Sequence, residues 1–233
     1  MKTNTIKLLA LATLFISFSS CSKADELLDE ENTIVENDFK PFKTGTLAGR
    51  TITNLYASQV GETGVEEEIS GDFTKFNFAT GQVTEGADWD IAFRATTMLI
   101  NGGETIGLDD EPERTGNAAA YIGRGIFDEI TTVNTDLLIK DGAGIGSGLA
   151  ITTGSGNGWY MYTMNEAPAH TIHALPGKIL IIRTHDGAYV KMEIISYYKD
   201  AKYPKPVDTN SRYYTFNYVY QAEKGNTSFV GTI

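Results

Sequence analysis

The feature that most constrains this chain is the alternation of apolar and polar residues over its central and C-terminal parts. Phe76 and Phe78 alternate with polar neighbours between Thr74 and Phe78. Trp89, Ile91 and Phe93 do the same between Asp88 and Arg94. Four consecutive aliphatics, Ile179 to Ile182, end at Arg183. Asp186-Gly187 follows, and Val190, Met192 and Ile194 then fall on one face. Tyr214, Phe216, Tyr218 and Tyr220 share a face of the last such segment, Tyr213 to Gln221. A period of two is the signature of an extended strand with one buried side. Asp-Gly supplies the positive φ of a tight hairpin turn, so 178–198 reads as two antiparallel strands. A 3.6-residue period is hinted at only between Glu26 and Glu36. The expected fold is therefore a single antiparallel all-β domain over residues 39–233. Two long Gly-rich segments, 101–117 and 141–158, are expected to be functional or mobile loops with hairpins protruding around them.

The formal charge of −11 repels phosphate backbones, and no Lys/Arg cluster offers a basic footprint. Nucleic acid is not an expected partner. Enzyme signatures are missing too. Neither Ser147 nor Ser155 is framed as a nucleophile elbow, and the glycines at 142, 144, 146 and 148 do not form a phosphate-cradling loop. Asp88 and Asp90 read as exposed acids on one strand face rather than an acid–base pair. His185, beside the Asp186-Gly187 turn, reads as a solvated turn residue. His170 and His173 are three apart. In an extended segment that spacing sends them to opposite faces, which argues against a zinc clamp. The chain reads as a binding protein and not as an enzyme.

The N-terminus has its own logic. Lys2 and Lys7 precede an apolar run, Leu8 to Phe18, that is too short for a stable membrane-spanning helix. Ser19-Ser20-Cys21 then resembles a lipobox, although Phe18 stands where an aliphatic residue is usual. Residues 1–20 are expected to be a lipoprotein signal peptide. Cys21 is the only cysteine, so no intramolecular disulfide can form, and a lipid on its sulfur is its expected use. Residues 21–38 are acidic and read as a solvated tether. An outer-membrane lipid anchor, facing the cell surface, is the expected location.

Taken in order, Lys75 to Arg94 (KFNFATGQVTEGADWDIAFR), Asn101-Gly102-Gly103, Pro176 to Asp200 (PGKILIIRTHDGAYVKMEIISYYKD) and Tyr213 to Gln221 (YYTFNYVYQ) resemble the HmuY-like family of heme-binding lipoproteins. The resemblance implies an all-β fold of HmuY type and heme held non-covalently by protruding hairpins. It also implies delivery to a TonB-dependent outer-membrane receptor, as in hemophore-like iron acquisition. Members ligate heme iron through two axial His or Met side chains. One follows the Trp159 strand, where Met164 falls at the ligand position. The other belongs upstream, yet residues 134–158 contain neither His nor Met. His170 is the alternative axial donor, with His173 and Met161 as further cofactor-binding candidates. The rival reading keeps the scaffold and gives it a non-heme ligand or a protein partner.

Overall fold

The computed structural model describes residues 47–61, 69–144, 148–202 and 210–231. The leader, Cys21 and the acidic tether lie outside the described residues. Among those described there is no α-helix; three single-turn 3₁₀ segments interrupt eleven strands. These are β1 (Leu47–Tyr56), β2 (Thr74–Asn77), β3 (Gln82–Val83), β4 (Ile91–Arg94), β5 (Thr97–Ile100), β6 (Ala119–Arg124), β7 (Tyr160–Tyr162), β8 (Ile172–Ala174), β9 (Lys178–Arg183), β10 (Tyr189–Tyr198) and β11 (Ser211–Gln221). The large sheet has the order β1-β11-β10-β9-β6 and the small sheet β3-β2-β4-β5. The hairpin β7-β8 forms a third unit. Every strand pair is antiparallel.

Register explains how the alternating residues build the core. Val190 pairs with Ile182 and Tyr220, Met192 with Leu180 and Tyr218, and Ile194 with Phe216. Each rung thus sends one row of side chains to the same face. Phe76, Phe78, Ile91, Phe93, Met98 and Ile100 of the small sheet meet that face. The rings of Phe78 and Tyr218 lie 5.1 Å apart, and those of Phe76 and Phe216 5.6 Å apart at 84°. Burying each such aromatic is worth roughly 1.5–3 kcal/mol, which makes this seam the main source of cohesion.

The small sheet is buried on both faces, which simple alternation did not anticipate. Ala92 and Leu99 point away from the main core into a second cluster with Phe73 and Trp89, closed over by Leu149 and Ile106. Those two caps belong to the Gly-rich segments. Two residues of the segments expected to be functional or mobile thus cover a second core. Asn101 ties down the first segment: its Nδ2 donates to Ala87 O and Trp89 O, and its Oδ1 accepts from Thr115 N and Gly116 N, all within 2.9 Å. Gly103, at φ 91°, lies against the Asp141 carbonyl, where a Cβ would collide with backbone. Gly187 has a similar φ of 98° but open space around it. Gly187→Ala should therefore cost only the left-handed penalty, about 1–2 kcal/mol. Gly103→Ala adds a backbone clash and should cost clearly more. Urea unfolding of the two variants measures the difference.

Asp90 and His185 also depart from the sequence reading. Asp90 is not an exposed acid but is 1% exposed. Its Oδ2 accepts from Phe78 N at 2.8 Å, and its Oδ1 accepts from His185 N at 2.9 Å and sits 2.6 Å from His185 Nδ1. The β9–β10 turn is thereby fastened to the small sheet. The hydrogen bond to Asp90 raises the His185 pKa above 6.5; burial opposes this, and Asp186 and Asp88 add to the rise. A raised folded-state pKa means the stabilisation is complete below the unfolded value and is lost as pH rises through the folded one. Wild-type stability should therefore decline from near neutral pH upward relative to His185→Asn, as chemical denaturation across pH will register.

Candidate functional site

Four candidate donors, two thioethers and two imidazoles, fall on one hairpin. β7 pairs with β8 so that Met161 faces His173 directly. The ladder continues beyond the strands: Thr163 N donates to Thr171 O at 3.0 Å, and His170 N donates to Met164 O at 2.8 Å. Met164 and His170 therefore face each other across the mouth of the loop 165–169. Both hold left-handed backbone, at φ 41° and 57°. That conformation ends the strand pairing and lets the chain turn. Met164 is 62% exposed and Met161 42%. Neither thioether is buried in the core, and each stands on the hairpin opposite a histidine of the facing segment.

The hairpin is held at its base. Trp159, 1% exposed, donates from Nε1 to Thr96 O at 3.2 Å, and its ring contacts those of Tyr197 and Tyr214. Burial pushes the Tyr214 and Tyr197 phenols up, so both stay neutral. Tyr198 Oη accepts from Ile172 N at 2.9 Å. Two threonine hydroxyls close the loop: Thr163 Oγ1 and Thr171 Oγ1 donate to Pro168 O at 2.6 and 2.8 Å. The loop thus sits on a rigid footing, as a site needs.

The two histidines are held differently. His170 is exposed, and its Nδ1 lies 2.7 Å from Tyr162 Oη. Nε2 then points away from that bond. His173 is half-buried, and its Nε2 is 2.8 Å from Thr171 Oγ1. Met161 Sδ accepts from Ser155 Oγ at 3.2 Å. In chain order the candidates were visible one by one. The bond between Tyr162 and His170 is not legible in chain order, because it depends on the hairpin register. Met98, in an earlier strand, is 1% exposed and belongs to the core.

The hairpin's side chains, two thioethers and two imidazoles, are of the chemistry that heme iron accepts. Among the described residues, no three His, Cys, Asp or Glu side chains group to hold a metal. Thioether and imidazole are among the axial donors that heme iron accepts, singly or as a pair. Cys21, the lipidation candidate, lies outside the described residues.

Two antiparallel sheets carrying a donor-rich hairpin define an all-β protein. The family model described as HmuY protein matches residues 70–218, and the chain belongs to the HmuY family. The HmuY family is one of binding proteins. Among solved structures, a candidate lipoprotein from Bacteroides fragilis aligns with a TM-score of 0.44 at 12% identity, covering 82% of this chain and 97% of its own. A candidate HmuY-like heme-binding protein from Bacteroides vulgatus aligns with a TM-score of 0.43 at 13% identity, covering 81% and 97%. No curated protein matches.

Proposed function

We propose that this protein binds heme at the β7–β8 hairpin and passes it to an outer-membrane transporter. The observation that carries the reading is the pairing of Met164 with His170 across an exposed loop mouth, on a hairpin anchored by Trp159. Family membership supports the choice of heme over another ligand. Bound there, heme would supply the iron that a thioether or an imidazole ligates. The thioether is soft and favours ferrous iron. Met164 and His170 are the first pair to consider; Met161 and His173 are the second.

The rest of the proposal concerns location. A lipid on Cys21 and an acidic tether over 21–38 would hold the domain at the outer membrane, facing outward. From there a TonB-dependent receptor would take the heme. The test is a hemin titration of the full chain in detergent, followed by absorption spectroscopy in both oxidation states. A saturable shift of the Soret band at one hemin per chain supports the reading. A spectrum that stays that of free hemin at every ratio leaves a binding module for some other ligand.

A further inference from the structure

The outer face of the large sheet holds a half-open cavity of about 920 Å³ that shares no residue with the β7–β8 hairpin. Ligand pockets usually measure about 300–1,000 Å³. No histidine or methionine lines it, and Tyr218, at its floor, is buried with its hydroxyl donated to Phe78 O. It therefore offers no donor for heme iron.

Its floor is a polar rung across three strands. Thr51 pairs with Asn217, and Asn217 with Glu193. Thr51 Oγ1 donates to Asn217 Oδ1 at 2.8 Å, which fixes the amide with its Nδ2 donors turned away. No described residue accepts from that Nδ2 or hydrogen-bonds the Glu193 carboxyl. Burial, helped by Asp128, raises the pKa of Glu193. Lys191 is already committed: its ammonium donates to Phe127 O and Ile130 O at 2.7 and 3.0 Å and lies over the Phe127 ring. That cation builds the wall on which Ile126 stands 61% exposed.

These groups select a ligand class. The lining sets two carboxylates, Asp128 and Glu193, against two cations, Arg50 and Lys191, which already donate to backbone carbonyls, so the wall is balanced in charge and suits a neutral ligand. A wholly apolar ligand would leave the amide and the carboxyl without partners, at a cost it cannot recover. A neutral ring with adjacent hydroxyls suits both: each hydroxyl accepts from the amide or donates to the carboxyl, while ring C–H groups lie on Ile126. We propose that this cavity is a second binding site, for a neutral saccharide.

Saturation-transfer NMR tests it on the full chain in detergent, with the methyl glycosides of glucose, galactose, mannose and N-acetylglucosamine, and with maltose and lactose, as probes. Transfer to at least one is expected. Asn217→Ala and Glu193→Ala should each weaken that sugar about tenfold or more while hemin titration stays as in wild type. Ile126→Ser, at an exposed position that does not endanger folding, should weaken it too. The proposal is overturned by no transfer from any probe at millimolar concentration. It is equally overturned if affinity is unchanged in all three variants, or if a sulfated sugar binds more tightly than its neutral parent.

Discussion

Replacing Met164 or His170 with alanine is expected to weaken hemin binding about tenfold or more and to move the Soret maximum, because each loss removes a candidate axial donor. The two substitutions should differ in which oxidation state they weaken more. Loss of the thioether should hurt the ferrous complex more, and loss of the imidazole the ferric one. Tyr162→Phe carries a finer expectation. Iron on Nε2 requires the proton on Nδ1, where the 2.7 Å contact lets it donate to Tyr162 Oη. Removing that acceptor leaves both donors in place yet should reduce affinity by roughly 10–100-fold, the usual effect of deleting a group that orients a ligand. ¹⁵N spectra of the apo protein read the tautomer of His170 directly, without heme. A Soret shift that survives Met164→Ala and His170→Ala but is lost in Met161→Ala or His173→Ala would move the site to the other rung. A wild type that never departs from free hemin would end the heme reading altogether.

Legibility followed sequence distance. The β9–β10 hairpin and β11 could be read directly because their signals are local: four aliphatics, an Asp-Gly turn and a run of alternating aromatics. β1 could not, because its alternation breaks at a bulge between Ile52 and Leu55, where Asn54 takes a φ of 58°. β4 misled for a different reason. Its alternation is real, but a long-range cover from Ile106 and Leu149 buries its second face as well. The Asp90–His185 contact joins residues 95 apart, and nothing near either residue announces it. The candidate donors were legible singly, since Met and His are rare and stand near Trp159. Their pairing was not, because the turn 165–169 carries no Asn-Gly or Asp-Gly signal to set its register. The glycines of 101–117 and 141–158 invited a reading of mobility. Several of them serve close backbone approach, as Gly102 against Ala118, Gly103 against Asp141 and Gly158 against Thr152 show.

The same segments hold the largest stability effect we expect. Arg114 is 3% exposed at its side chain and lies between Glu111 at 4% and Asp141 at 0%. Its Nη1 donates to Glu111 Oε2 at 2.6 Å and its Nη2 to Asp141 Oδ2 at 3.0 Å. The carboxylates in turn collect backbone donors: Ile106 N and Leu108 N on Glu111, Ile100 N and Ala150 N on Asp141. One cluster therefore clamps both Gly-rich segments to β5. Burial pushes Glu111 upward, but the hydrogen bonds from Leu108, Arg114 and Ile106 outweigh it and its pKa falls. At Asp141 burial wins over the bonds from Ala150, Ile100 and Arg114, and the pKa rises. Arg114→Met removes the cation and strands both charges. Breaking a buried pair in this way costs about 3–5 kcal/mol. For a domain of this size that lowers the melting temperature by roughly 6–20 °C. Without Arg114 the Asp141 pKa climbs further, so the loss relative to wild type should grow as pH rises above the ordinary carboxylate range. Arg114→Lys should recover only part, since a single ammonium cannot reproduce the forked contacts to two carboxylates. Thermal melts of both variants at pH 5 and pH 7 give the comparison. A variant as stable as wild type at both values would mean that Ile106 and Leu149 alone hold the second core closed.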